Sequence, residues 1–287
     1  VFAKAIPARR RGRFTGLKQL LGYGAAIAAG WIVAWILSQP ALFPYPTNYA
    51  LIFGLASAAL LVAFVGFALI KEPPGPSERR SRDLATMLRT SWRLARINPN
   101  FRRLLLGRGL TQAMLFVAPF FALYAVTDVG VASAAVGLYL VAQMTGAAVS
   151  NLLWGWMGDR HGNRAVIIGT SVTGMLAPAS ALLVPVVGAP VLYATFFLTG
   201  VTMSGMRLGY PNIILEMASP ELRATCVALQ NTLLAPIALV PLFIGAISTF
   251  VPFPVVFAIA AATMVAALVA AIVLRDPRTD PEGACIT

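Results

Sequence analysis

The chain has 287 residues, of which 59% are hydrophobic and only 11% are charged. That charged fraction is about half of what a soluble globular domain carries, and one core of this size cannot hide the apolar excess. A soluble fold is therefore excluded. The net charge of +12 is compatible in principle with nucleic acid binding, so the placement of the charges has to decide that point.

The apolar residues come in long blocks, each close to the roughly 20 residues with which a helix crosses a bilayer. Because no strand-like alternation interrupts them, we expect an all-α membrane protein. Eight blocks are predicted as membrane helices: 18–38, 48–70, 104–127, 135–157, 165–185, 190–215, 225–249 and 253–274.

The connections between these blocks are charged on one side only. The turns 39–47, 128–134, 186–189 and 250–252 contain no Lys or Arg, and Asp128 is their only charge. This one-sided pattern predicts that both termini and the remaining connections are cytoplasmic, in a bacterial-type inner membrane or a plasma membrane. The basic excess then indicates contact with an anionic inner leaflet and not with nucleic acid.

Residues 71–103 form the one long polar stretch. Apolar residues recur there at helical spacing between Leu84 and Ala95, and four arginines take the other faces: Arg82, Arg89, Arg93 and Arg96. The pattern predicts a basic amphipathic helix on the inner leaflet. A tether between two bundles and a binding site for a specific partner are both compatible with it.

A faint internal repeat supports a division of the chain at this stretch. The segment 7–12 resembles 220–224, and the segment 70–73 resembles 274–277. Each pair marks the same two places in a six-helix unit, namely the entry to its fifth helix and the exit from its sixth. The predicted organisation is therefore the last two helices of an N-terminal bundle, a linker, and a complete six-helix bundle with a short tail, at residues 1–70, 71–103 and 104–287.

The repeat also predicts what precedes the chain. The segment 220–224 has four helices before it in its own unit, so we expect four helices before Pro7. The start at Val1, which is not Met, agrees with that expectation. We do not expect the 287 residues to transport without those helices.

The turn after the fourth block carries a ten-residue motif. It runs from Gly155 to Arg164 and reads Gly-Trp-Met-Gly-Asp-Arg-His-Gly-Asn-Arg. It resembles the signature cytoplasmic loop of the major facilitator superfamily: Gly, any, Leu, small, Asp, Arg, any, Gly, basic, basic. Met157 replaces the usual Leu, and Asn163 departs from the first basic position. The resemblance implies a major-facilitator-like bundle, of whose twelve helices eight are present here.

Within this motif, Gly155, Gly158 and Gly162 suit a tight turn between antiparallel helices. Gly158, Asp159 and Arg160 form the centre of the motif. The carboxylate of Asp159 has Arg160, Arg164 or the positive end of a neighbouring helix as candidate partners. The resemblance implies that the neighbouring helix begins near residues 12–17 and that its contact with Asp159 acts as a cytoplasmic gate. A solvated turn that only sets topology is the alternative.

A second charged pair has the spacing of Glu, six residues and Arg. Glu216 and Arg223 bridge one helix end and the next helix start, and the spacing resembles that of sugar-porter-like members. We expect the pair to join Asp159 and Arg164 in one charge network. Two unrelated loop charges are the alternative, and the spacing alone does not indicate a sugar.

Polar side chains inside the apolar blocks are candidates for a substrate cavity, because polar groups that face lipid are costly. The candidates are Gln112, Tyr139, Gln143 and Asn231. Such groups suit a neutral or amphipathic polar solute, but they also join helices to each other.

The resemblance implies a secondary active transporter that moves a small solute by alternating access, either as a permease for uptake or in efflux. A membrane enzyme would need convergent acid, base or metal residues, and none is evident. The single His161 cannot build a metal centre, and we expect no cofactor. A receptor or assembly subunit with the same fold, and an inactive fragment, are the alternative functions; the oligomeric state is open.

Overall fold

A computed structural model describes residues 11–69, 98–132, 134–218, 223–239 and 251–279, with only the backbone for 11–20, 223–225 and 238–239. Ten helices are assigned in these ranges: α1 Arg11–Leu37, α2 Thr47–Ala68, α3 Pro99–Thr111, α4 Ala113–Thr127, α5 Ala134–His161, α6 Asn163–Ala181, α7 Val184–Val187, α8 Val191–Met217, α9 Arg223–Leu234 and α10 Phe253–Val273. A 3₁₀ segment, Ala235–Leu239, continues α9.

The all-helical, membrane-spanning character predicted from the apolar blocks is supported. Each predicted block overlaps at least one of these helices. Within the described ranges, four segments are long and apolar enough to cross a membrane: Thr47–Ala68, Pro99–Thr127, Ala134–His161 and Phe253–Val273. The count of eight crossings stays a prediction. Residues 71–97 of the linker, which include the predicted amphipathic helix, and the segments 7–10, 70–73 and 220–222 of the repeat lie outside the described residues. Residues 98–103 of the predicted linker instead form the cap and the first turns of α3.

The chain forms two compact units, of which the first comprises residues 1–81 and 132–141. In this unit α1 contacts α2, and the backbone of Gly137 at the start of α5 lies directly against Ala34 of α1. None of the α2 residues is buried. Since α2 is almost wholly apolar, its surface is suited to lipid or to a partner helix and not to water.

The second unit comprises residues 82–131 and 142–287, and its core surrounds α8. Side chains from α3, α6, α8, α9 and α10 form one buried cluster: Phe101, Leu104, Ile167, Tyr210, Ile213, Ile214, Met217, Ala218, Cys226, Ala271 and Leu274. A separate aromatic contact joins α4 to α10, where the ring centroids of Phe121 and Phe257 are 4.9 Å apart. These contacts fix α3, α8, α9 and α10 as one packed set.

The first residues of α3 and the segment after α10 are joined by hydrogen bonds. Asn98 caps α3, since its side-chain oxygen accepts from the backbone N–H groups of Asn100 and Phe101 at 3.0 Å. The Asn100 side chain then binds Arg275 twice. Its oxygen accepts from the Arg275 N–H at 2.8 Å, and its amide donates to the Arg275 carbonyl at 3.1 Å.

Two irregular helix segments face each other in the second unit. The α3–α4 span tightens at Gln112, whose N–H donates to the Gly109 carbonyl three residues earlier at 3.2 Å. The 3₁₀ segment that follows α9 lies opposite, because a Cβ added to Gly109 would be 3.2 Å from Cδ1 of Ile237. At the same level of the unit, both segments form i to i−3 hydrogen bonds in place of the i to i−4 bonds of a regular α-helix.

Candidate functional site

The turn between α5 and α6 depends on Gly162. This residue has φ +84 and ψ 160, a conformation that essentially only glycine adopts. A Cβ at this position would also lie 3.2 Å from Oδ2 of Asp276, in the segment after α10. The motif glycine therefore makes the turn possible and lets the post-α10 segment approach it.

Glu216, near the end of α8, accepts hydrogen bonds from two directions. Its Oε1 accepts from Nδ2 of Asn163 at 2.7 Å, and from the Nε and a terminal nitrogen of Arg278 at 2.9 and 2.6 Å. The Arg278 and Glu216 side chains are 40% and 20% exposed, so this ion pair is only partly screened by water. One carboxylate thus joins α6, α8 and the segment after α10.

Arg278 extends the same network to the end of α5. Its other terminal nitrogen donates to the Asp159 backbone carbonyl at 3.1 Å, and its own N–H donates to Oδ1 of Asp276 at 3.0 Å. We call Asp159, Asn163, Glu216, Asp276 and Arg278 the turn cluster. Its hydrogen bonds hold three helix ends against one post-helical segment.

The structure brings together only part of the predicted gate. The carboxylate of Asp159 makes no ion pair with any described residue, although the side chains of Arg160 and Arg164 are both described. The Arg160 guanidinium lies 5.7 Å from the Trp156 ring centroid instead. Arg164 donates to the Ile272 carbonyl at 2.7 Å, because the carbonyl groups at the end of α10 attract a cation.

The expected pairing of Glu216 with Arg223 stays a prediction. Arg223 begins α9, but its side chain lies outside the described residues, and the Glu216 carboxylate is paired with Arg278. Of the motif glycines, Gly158 lies beside Asn163, whereas a Cβ at Gly155 would meet nothing within 4 Å. Gly155 is therefore not required for a close approach within the described structure.

A second polar cluster lies between α3, α8 and α9. A terminal nitrogen of Arg108 donates to Oδ1 of Asn231 at 3.4 Å, and the guanidinium carbon is 5.9 Å from the Tyr210 ring centroid. The Thr111 hydroxyl donates to the Arg108 carbonyl at 2.8 Å. We call Arg108, Thr111, Tyr210 and Asn231 the Arg108 cluster. It lies at the level of the two irregular segments, one turn before Gln112.

The other predicted cavity residues are in different places. The Gln143 amide donates to the Met203 sulfur at 3.3 Å, where the backbones of Gln143 and Gly200 are so close that a Cβ at Gly200 would collide with the Gln143 carbonyl. Tyr139 belongs to the first unit and is buried. Gln143 thus contributes to the contact between α5 and α8, which is the helix-joining role weighed for it above.

The family model of the Major Facilitator Superfamily matches residues 104–284, which is more than half of the chain. The chain belongs to the major facilitator superfamily. It is accordingly an integral, multi-pass membrane protein of a transporter family. Membership agrees with the resemblance drawn from the motif at 155–164.

Solved structures of the superfamily share the fold of this member. A bacterial homolog of the human lysosomal transporter Spinster, in an inward-facing and occupied conformation, is similar with a TM-score of 0.52 and 18% identity over 96% of this chain and 70% of that chain. Its inward-facing, unoccupied structure gives a TM-score of 0.51, 18% identity and coverage of 96% and 71%. No curated protein matches the chain.

Three residues of the turn cluster were not predicted as site residues from the sequence: Asn163, Asp276 and Arg278. Asn163 was treated as a departure from a basic position, yet it is buried and donates to Glu216. Asp276 was noted only as a mark of a helix exit. Its proximity to Arg278, two residues later, was the one local signal of a structured turn after α10.

Proposed function

We propose that the protein is a secondary active transporter that moves a small solute across the membrane by alternating access. Membership of the major facilitator superfamily over residues 104–284 carries this proposal. Two bundles would rock around a central site, and the division at 1–70, 71–103 and 104–287 would separate the first bundle, the linker and the second bundle.

The turn cluster supports a gate at one membrane face. It ties the α5–α6 turn to the end of α8 and to the segment after α10, so it holds the ends of these helices as one body. Asp159 keeps its carboxylate outside this body and exposed. In our proposal that carboxylate contacts the opposite bundle when the gate closes, and the contact breaks when the gate opens.

Solute flux in proteoliposomes tests both the function and the gate. The full-length protein is expected to give saturable flux of a small solute from a panel, and Asp159→Asn is expected to slow that flux at near-normal protein levels. Asp128→Asn is a matched control, because it removes the same charge from an exposed position outside the motif and should leave the flux near that of the wild type. The absence of any saturable flux would count against transport, and unchanged kinetics in Asp159→Asn would count against the gate.

We also propose that both termini and the turn cluster face the cytoplasm, as the one-sided distribution of Lys and Arg indicates. Cysteines introduced at Thr47 and Ala132 are then expected to react with an impermeant thiol reagent only from the outside of intact cells. Labelling of either position from the cytoplasmic side alone would refute this orientation.

A further inference from the structure

Arg108 lies at a position where a charged side chain is energetically unfavourable. Arg108 lies nine residues after Pro99, the first residue of the apolar span Pro99–Thr127, and this separation is about 14 Å along a helix axis. Arg102 and Arg103 lie in the first turns of the same helix, where long side chains reach the head groups. A charge deeper in a span is costly and generally serves a function, so Arg108 calls for an explanation that Arg102 does not.

Among the described residues, no acidic group neutralises this charge. Arg108 makes no ion pair with a described residue, and its hydrogen bond goes to the neutral amide oxygen of Asn231 at 3.4 Å. The aromatic ring of Tyr210, 5.9 Å away, supplies only a weak cation–π contact. A guanidinium has five N–H donors in a planar fork, so most of its donors remain for another group.

The helix α9, which carries the Arg108 partner Asn231, has a further polar side chain without a hydrogen-bond partner in the described part of the chain. Gln230, next to Asn231 in α9, is fully buried, and neither atom of its amide has a hydrogen-bond partner among the described residues. Buried polar groups are nearly always paired, so an unpaired amide points to a missing partner. The irregular segments at Gln112 and Ala235–Leu239 lie at the same level, and discontinuous helices commonly form solute sites in transporters.

We propose that Arg108 is the anion-binding residue of the solute site, and that the solute carries a carboxylate or phosphate group which the guanidinium holds in a two-pronged hydrogen bond. Asn231 orients the guanidinium, and α9 supplies the neutral polar wall. This inference rests on the proposed transport function, and it narrows the neutral or amphipathic solute expected from the sequence to one with an anionic group. A planar fork matches both carboxylate and phosphate oxygens, which a lysine would not do.

Ligand binding can be measured separately from transport. Full-length protein, purified in a neutral detergent, is titrated with benzoate, phenyl phosphate and the neutral benzamide, and thermal stabilisation gives an apparent Kd for each. We expect benzoate, phenyl phosphate or both to stabilise the wild type, and benzamide to have no effect. Arg108→Gln is expected to weaken that binding at least about tenfold, as loss of a charge-assisted hydrogen bond does. The apparent Kd of Arg108→Lys should lie between those of the wild type and Arg108→Gln.

The matched control is Arg102→Gln, which removes the same charge from an exposed position of the same helix. Its apparent Kd values should equal those of the wild type. The inference is overturned if the acids and the amide behave alike, or if Arg102→Gln weakens binding as much as Arg108→Gln. It is equally overturned if only phosphatidylglycerol added to the micelles stabilises the protein through Arg108, because the site would then hold a lipid head group.

Flux experiments keep this inference separate from the proposed function. Saturable flux of a neutral solute that is unaffected by Arg108→Gln would overturn the anion site and leave transport intact. Conversely, Arg108-dependent binding of benzoate without flux of any solute would leave the anion site intact and count against transport.

Discussion

The two polar clusters of the second unit differ in how their charges are paired. In the turn cluster, the Glu216 carboxylate accepts from Asn163 and twice from Arg278. In the Arg108 cluster, a guanidinium within an apolar span has one long bond to a neutral amide. Paired charges hold segments of the chain together, whereas an unpaired charge lowers stability and is retained where a ligand needs it.

This difference predicts opposite consequences of mutation. Variants that remove a paired side chain of the turn cluster, such as Glu216 or Arg278, should lower the free energy of unfolding, since they remove contacts that the folded protein already makes. Variants of Arg108 should change solute binding and leave the free energy of unfolding unchanged or higher, since Arg108 has no ion pair with a described residue that would be lost. Four measurements test this difference between the two clusters.

The largest effect is expected for Gly162→Ala. Its φ of +84 and ψ of 160 are strained for any other residue, and the new Cβ would press on Asp276. We expect the free energy of unfolding to fall by about 1–3 kcal/mol, as measured by denaturant titration in detergent. Gly155→Ala in the same motif has open space around its Cβ and should change little. Equal losses in the two variants would show that the turn does not need the special conformation.

The next effect concerns Arg108→Gln. We expect solute flux to fall at least about tenfold, which corresponds to roughly 1.4 kcal/mol of lost interaction with the solute. The free energy of unfolding should meanwhile stay level or rise. Flux in proteoliposomes and denaturant titration on the same preparation check both points. A large loss of stability with flux unchanged would show that the Arg108 cluster stabilises the fold and does not bind the solute.

A smaller effect is expected for the pair Glu216 and Arg278. Both groups are partly exposed, at 20% and 40%, so water screens their attraction. A double-mutant cycle with Glu216→Gln and Arg278→Gln should give a coupling energy of about 1 kcal/mol. Arg160→Gln in place of Arg278→Gln should show no coupling to Glu216. A coupling energy of zero between Glu216 and Arg278 would show that this ion pair does not stabilise the turn cluster.

The smallest change in stability is expected for Asp159→Asn. The Asp159 carboxylate is exposed and has no ion pair within the described residues, so the folded protein loses no such contact. We expect the free energy of unfolding to stay within about 0.5 kcal/mol of the wild type, while flux slows. A marked loss of stability would mean that Asp159 belongs to the static part of the turn cluster.

The helices were predictable because each depends on a local property. Long apolar runs mark α2, the α3–α4 span, α5 and α10 without reference to the rest of the chain. The glycine at position 162 was predictable for the same reason, since a tight turn between antiparallel helices needs a residue that tolerates positive φ.

The pairing of charges was not predictable, because it depends on where distant segments meet. Arg278 is 62 residues from Glu216, so nothing in the local spacing indicated the hydrogen bonds between them, whereas Arg223 is only seven residues away. Arg164 could be placed near a helix end, but nothing in the sequence says that it binds the carbonyl of Ile272. Similarly, Arg108 could be placed on a polar face of its helix, but only the packing of α3 against α9 shows that its described hydrogen-bond partner is the neutral Asn231.

The double hydrogen bond between Asn100 and Arg275 places the beginning of α3 beside the segment that leaves α10. A chain that enters and leaves a bundle at one point can be rejoined there by a few residues and opened elsewhere. The segment 98–275, which includes residues 132–141 of the first unit, is thus suited to circular permutation, with residues 98 and 275 bridged and new ends at the exposed Val186 and Val187. A sequence built in this way can also be copied in tandem, since the end of one copy already lies where the next must begin.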